Sequence, residues 1–225
     1  MGLEQSATRA LVERLPGRFL VLEGIDGVGK STQHARLVTH LRSLGLDVVV
    51  TREPGGTSIG ERIRELLLDL DHAAMSARCE VMLYMASRAQ LIDEVIAPAL
   101  ANGSVVVSDR FAQSTIAYQG AGGQLPPRDI ERIARIACGD IWPELVVIFD
   151  MDHHAAIARL PGEPDRVESK GADYRRRVRQ AYLDLAEREP ESHAVIDAHA
   201  PADVVFENLL GAIASWAQRQ PTRTT

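Results

Sequence analysis

Residues 24–31 read Gly-Ile-Asp-Gly-Val-Gly-Lys-Ser, a full match to G-x-x-x-x-G-K-[ST]. They stand between an apolar run, Phe19–Leu22, and a segment with apolar residues at helical spacing, Leu37, Val38, Leu41 and Leu44. This order constrains the chain more than any other feature: a strand must enter a glycine-rich turn that opens directly into a helix. Gly24, Gly27 and Gly29 let the backbone aim successive N–H groups at one anion. The helix start adds free N–H groups and the positive end of its dipole. Lys30 brings a point charge to the terminal phosphates of a nucleotide, and the Ser31 hydroxyl is a candidate Mg²⁺ ligand.

The rest of the chain repeats that alternation. Apolar runs at Asp47–Val50, Ser104–Val107, Leu145–Phe149 and Ala194–Ile196 predict four more strands. Helical spacing is found over 58–70, 77–101, 112–120, 127–138, 152–159, 172–189 and 201–218. Gly45, Asn102–Gly103 and the Gly/Pro-rich stretch 120–127 punctuate them. Near-continuous apolar strands between helices predict an α/β fold, a five-stranded parallel sheet with helices on both faces. Ligands in such sheets sit outside the carboxyl ends of the strands, and the motifs below fall there or on the helices that follow. Residues 1–17, polar and Ala-rich up to Pro16–Gly17, read as an N-terminal extension able to form a short helix, and 219–225 as a tail. Leu160-Pro-Gly-Glu-Pro-Asp165 cannot be regular structure and marks a small lid at about 160–171.

A chain of 225 residues with 45% apolar and 25% charged residues can build one full core without metal or disulfide staples. Its net charge of −6 argues against a nucleic acid polymer as partner, although a small polyanion can still be bound locally. Cys79 and Cys138 lie in apolar-periodic segments and are expected to be reduced core thiols. The first 20 residues lack the apolar run of a secretory signal, and no stretch is long enough to span a bilayer, so a cytoplasmic protein without membrane association is expected.

Val105-Val-Val-Ser-Asp109 has the form of a strand ending in a carboxylate, which makes Asp109 a candidate metal partner beside the phosphate loop, or else a turn-capping residue. A phosphate loop alone does not separate kinases from switches, ATPases or motors. The N-K-x-D run usual in guanine-specific GTPases is absent. Two arginines suggest a second anion site. Arg88 lies four residues after Tyr84 and so on the same helix face, and Arg110 follows Asp109. A guanidinium fork suits the oxygens of a phosphate monoester. Such an acceptor is already a dianion near neutral pH and needs no general base, only positioning and charge screening.

Several segments together resemble the thymidylate kinase family in order and spacing. They are Phe19–Thr32, Thr51-Arg-Glu-Pro-Gly-Gly-Thr57, Asp109-Arg-Phe111 with Ser114, Ala117-Tyr-Gln-Gly120 and Asp165-Arg-Val-Glu168. The similarity runs from about 18 to 218. It implies a P-loop kinase fold, ATP and Mg²⁺ as donor and metal, dTMP as acceptor, and a homodimer using the long helix of 77–101. A kinase for another nucleoside monophosphate and a nucleotide-binding regulator without turnover are the alternatives. The resemblance implies that Gly24, Ile25, Asp26, Gly27, Val28, Gly29, Lys30, Ser31 and Thr32 surround the ATP phosphates, with Asp26 near the acceptor sugar and the metal, and Ser31 and Asp109 on the metal. Tyr84 would stack on thymine, where the family usually has Phe, and Arg88 would contact the base edge and the acceptor phosphate. Arg110, Arg52 and Glu53 are further acceptor-site candidates. Thr115 would bond the pyrimidine, Tyr118 would crowd the ribose 2′ position, and Gln119 would lie beside the sugar. The chain departs from the family at its cations: position 27 is Gly where one subgroup has Arg, and 160–165 holds no basic residue. Arg166 is therefore expected to be the main lid cation, with Arg159 supporting the ATP phosphates or adenine. The run Arg175, Arg176, Arg177 and Arg179 spreads around a helix and reads as mostly solvated, with one member able to reach ATP. His34, His40, His153 and His154 receive no role.

Overall fold

The computed structural model of the chain describes residues 2–123, 125–160, 166–167 and 170–223. Five parallel strands, β1 (Phe19–Glu23), β2 (Val48–Arg52), β3 (Val105–Asp109), β4 (Leu145–Asp150) and β5 (His193–Asp197), form one sheet in the order β2-β3-β1-β4-β5. The three central strands are almost wholly buried, as their continuous apolar runs require. The edge strands β2 and β5 alternate buried and open positions, exposing Val50 and Val195. The register sets Leu22 of β1 beside Asp109 of β3 and Glu23 beside Ile148 of β4, so the ends of the three middle strands meet at one edge of the sheet.

Helix α1 (Gly2–Arg14) precedes β1, and α2 (Lys30–Ser43) follows the phosphate loop. Next come α3 (Ser58–Leu68) and α4 (Ala77–Leu91), whose starts are capped by the side chains of Thr57 and Ser76. The long helix expected over 77–101 is not one regular α-helix. A π-turn at Ile92–Ile96 links α4 to α5 (Ala97–Ala101). The next helix also changes pitch, from α6 (Ala112–Thr115) to a π-segment at Ile116–Gly122. The remaining helices are α7 (Pro127–Cys138), α8 (His153–Ile157), α9 (Ala172–Arg188) and α10 (Ala202–Gln218). Helices α2 and α10 pack on the sheet and on each other, while α5 and α9 pack on β3 and on β4–β5.

The short helix expected before β1 is α1, which packs along α10; its Ala10 and Leu11, with Leu15 just beyond it, are buried in the common core. Arg18 adds a tie by donating to the Pro221 carbonyl. The expectation for one cysteine needs correction. Cys79 is exposed, because it lies on the outer face of α4, whereas Cys138 is buried as expected. The lid expected at 160–171 falls largely outside the described residues, except for Leu160, Arg166, Val167, Lys170 and Gly171. Among the described residues no helix is long and apolar enough to cross a membrane.

Candidate active site

The phosphate loop leaves β1 at Glu23 and passes so close to β4 that a Cβ on Gly24 (φ +138°) would meet the Phe149 carbonyl oxygen at 2.5 Å. Gly27 (φ +86°) is tighter still: a Cβ there would lie 2.0 Å from the carbonyl oxygen of Ala156 on α8. Only glycine fits these two positions. Gly29 is left-handed and opens α2, so the N–H groups of the first turn face the loop. The Lys30 ammonium is buried and donates to the carbonyls of Gly24 and Ile25, at 3.0 Å each. Burial lowers its pKa, with the Arg110 charge adding to the effect, against Asp26, Asp109 and Glu23. Beside the loop, Ser31 and Asp109 line a shared cleft with Thr51, Arg52 and Glu61. Asp109 Oδ1 is buried there with no hydrogen-bond partner. An unpartnered carboxylate oxygen and a serine hydroxyl lining one cleft are donors of the kind Mg²⁺ takes.

Arg110 lies at the join between the loop and a second cavity. Its φ of +72° is unusual for a residue with a side chain. Five polar partners hold it there. It donates to Asp26 Oδ1 (2.5 Å), Ser114 Oγ (3.0 Å), Tyr182 Oη (3.2 Å) and Tyr118 Oη (3.2 Å), and Glu23 lies 3.8 Å away. Glu23, fully buried, accepts from the backbone N–H groups of Phe111 and Ser114 and from the hydroxyls of Ser114 and Tyr182. Burial raises its pKa, and Arg110 opposes that shift. Burial would raise Asp26 as well, but the charges of Arg110 and Lys30 and the hydroxyl of Tyr118 outweigh it and hold the carboxyl at about 2.

The second cavity opens beside Asp26. It is walled by Glu53 and Pro54 after β2, Arg64 and Leu68 of α3, Tyr84 and Arg88 of α4, Arg110, Phe111 and Ser114, Tyr118 and Gln119 of the π-segment, and Val167. Arg88 is almost fully buried. Its fork grips Glu53 through Nε at 2.8 Å and Nη2 at 2.5 Å, and Nη2 also donates to Thr115 Oγ1 at 3.1 Å. Burial pushes the Glu53 carboxyl up while the guanidinium pulls it back. Tyr118 donates to Asp26 Oδ2 at 2.9 Å, and the Arg110 guanidinium lies 5.0 Å from the Tyr118 ring centroid. An aromatic ring, two arginines and paired carboxylates around one cavity suit a nucleoside monophosphate.

The structure thus brings together Asp26, Glu53, Tyr84, Arg88, Arg110, Tyr118 and Gln119. Thr115 lies behind Arg88, outside that lining. Arg52 points the other way, into the Ser31–Asp109 cleft, where it pairs with Glu61 at 2.8 Å. Arg166 is not aimed at the phosphate loop. It is buried, with Nη1 2.6 Å from Glu80 and Nε donating to the Leu67 carbonyl at 2.7 Å. Its neighbours Asp165 and Glu168 lie outside the described residues. Arg159 is exposed and donates to the Ala198 carbonyl after β5. Of the basic run on α9, Arg176 pairs with Asp173, Arg177 donates to the Ala121 and Gly122 carbonyls, and Arg179 forks onto Asp150. Arg175 instead shares a narrow cleft with Ile25 and Asp26 of the loop and with Tyr118.

A family model described as thymidylate kinase matches residues 22–209. The chain belongs to the thymidylate kinase family. It is 42% identical over 210 residues to the thymidylate kinase of Desulforudis audaxviator, covering 92% of this chain and 95% of that one. The thymidylate kinase of Rhodopirellula baltica is 39% identical over 207 residues, covering 92% and 84%. The crystal structure of thymidylate kinase from Ehrlichia chaffeensis superposes with a TM-score of 0.73 at 28% identity, over 87% of this chain and 98% of that one. Membership makes the chain a nucleoside monophosphate kinase with ATP as phosphoryl donor.

Sequence reasoning missed Glu23, Arg64, Glu80 and Tyr182. Glu23 was legible as a carboxylate closing an apolar strand, and Glu80 as the residue one turn before Tyr84 on the face that carries Arg88. Tyr182 falls at helical spacing with Tyr174, Val178 and Leu185, which by itself marks only a helix face.

The Asp26 shift has a measurable consequence. Folded Asp26 titrates at about 2 against an ordinary 3.8, so its stabilisation is complete above the ordinary value and is lost as pH falls through about 2. Asp26→Asn is expected to be less stable than wild type at pH 6. The gap should close as both proteins are taken toward pH 2 in denaturant titrations. A gap independent of pH would remove Asp26 from the charge network.

Proposed function

We propose that this chain transfers the γ-phosphoryl group of ATP to dTMP, yielding ADP and dTDP. One observation carries the reading. Asp26 of the phosphate loop is ion-paired with Arg110, which follows β3, and both line the acceptor cavity, so donor and acceptor phosphates would meet across a single ion pair. Lys30, now resting on two loop carbonyls, would turn its ammonium to the donor phosphates. Ser31 and Asp109 would hold Mg²⁺, which when bound screens the charge of the donor phosphates. Arg88 and Arg110 would bind the acceptor phosphate while Tyr84 stacks on the base. A phosphate oxygen of dTMP attacks the γ-phosphorus as the bond from that phosphorus to the β,γ-bridging oxygen breaks. The acceptor is already ionised, so the residues orient and screen rather than remove a proton.

Arg175 is proposed as the transition-state cation, ahead of Arg166, because it lines the cleft beside Ile25 and Asp26 of the phosphate loop. The homodimer expected from the resemblance is supported by apolar side chains left exposed on neighbouring helices: Ile59 and Leu66 of α3, Met82 of α4 and Ile136 of α7, the last 84% exposed.

Three measurements test this function. In a coupled assay of ADP release, dTMP is expected to exceed dCMP, dGMP and UMP in kcat/KM. Equal use of UMP would remove Tyr118 as the guard of the 2′ position, and a purine preference would overturn the acceptor. Arg175→Ala should lower kcat by about a hundredfold or more with both KM values little changed, and by more than Arg166→Ala does. The reverse ranking would return the role to Arg166. Sedimentation should give a dimer for the wild type and a monomer for Met82→Lys combined with Ile136→Lys.

A further inference from the structure

Glu80 is a charged residue at a buried position, and no step above uses it. It sits on α4, one turn before Tyr84, with about 2% of its surface exposed. It accepts from Gln119 Nε2 at 2.7 Å, Arg166 Nη1 at 2.6 Å and Lys170 Nζ at 3.0 Å. These partners come from two distant parts of the chain: Gln119 from the π-segment, and Arg166 and Lys170 from the stretch just before α9. Burial would raise its pKa, but the hydrogen bond from Gln119, the charge of Lys170 and the hydrogen bonds of Arg166 and Lys170 outweigh it and hold the carboxyl below the ordinary value. Arg166 is also bonded to the Leu67 carbonyl at the end of α3. One carboxylate therefore ties α4 and the π-segment to Arg166 and Lys170, and through Arg166 to the end of α3. Gln119 and Val167, the residue after Arg166, both line that cavity, whereas Glu80 does not.

We propose that Glu80 is a positioning residue for the acceptor site: it ties Arg166 and Lys170 to the wall that carries Gln119 and Tyr84, keeps Val167 in the cavity lining, and so sets the affinity for dTMP without touching it. The inference rests on the acceptor cavity being the dTMP site. Removing the carboxylate charge takes away the acceptor that Arg166 and Lys170 share on α4, so residues 166 and 170 are held less firmly against that helix. Val167 and Gln119 lose their seat. The phosphate loop has no bond to Glu80, so ATP binding should be insensitive.

The experiment is steady-state kinetics on the full chain for Glu80→Gln, Arg166→Gln and the double variant, each with a thermal melt. Glu80→Gln is expected to raise the KM for dTMP by about tenfold or more. The KM for ATP and the kcat at saturating dTMP should stay within about threefold. Arg166→Gln should repeat that split, and the double variant should be no worse than the weaker single, because both remove one interaction. Glu80→Asp, which keeps the charge, should recover part of the affinity. A dTMP KM within twofold of wild type in Glu80→Gln, or equal rises in both KM values with a lowered melting temperature, would overturn this role. If Glu80→Gln does not fold, Arg166→Gln decides alone, and an unchanged dTMP KM in it overturns the proposal. Failure of the wild-type chain to use dTMP at all would instead strike the proposed function.

Discussion

Two substrate sites hang on one guanidinium. Arg110 bonds Asp26 on the phosphate-loop side and Tyr118 and Ser114 on the acceptor side, and rests against the buried Glu23. Its place follows from the sheet. Strand β3 lies beside β1, with Asp109 opposite Leu22, so the residue after β3 emerges next to the loop that leaves β1. The left-handed backbone at Arg110 turns the side chain back across that junction. Such a conformation costs of order 1 kcal/mol, and the five polar partners offset it. Without them the ends of β1 and β3 would carry a buried carboxylate and an exposed loop with nothing between.

Three cations of the site are already engaged by a carboxylate or a carbonyl: Lys30 by loop carbonyls, Arg88 by Glu53, Arg110 by Asp26. This lets a chain of net charge −6 prepare for polyanions. Positive charge is concentrated at two points and balanced locally, so the surrounding surface need not be basic. Arriving phosphates exchange with internal partners instead of entering an unbalanced field.

The parallel sheet, the loop and the Tyr84–Arg88 pair were legible because each depends on residues close in sequence. What was not legible depends on distance along the chain. Arg52 and Glu53 are adjacent, and their type alone suggests similar roles, yet successive side chains of an extended strand face opposite ways. Arg52 therefore faces the Ser31 cleft and Glu53 the acceptor cavity. Glu80 reads as an ordinary solvated helix carboxylate until Arg166 and Lys170 fold onto it from far along the chain. That same pairing withdraws Arg166 from the phosphate loop. The change of pitch after Thr115 leaves no periodic signature either, because Ile116–Gly122 mixes small and large residues. The amphipathic stripe of α1 is short and Ala-rich, so its burial against α10 had no clear signal.

The contact between Gly27 and the Ala156 carbonyl also limits where positive charge can come from. With α8 seated as it is, any side chain at position 27 would collide with main chain rather than with a yielding side chain. A loop arginine at 27 and the present seat of α8 therefore exclude one another. In this chain the space that such an arginine would fill is occupied by helix backbone, so the loop is braced by α8 and its charge must be supplied from other elements.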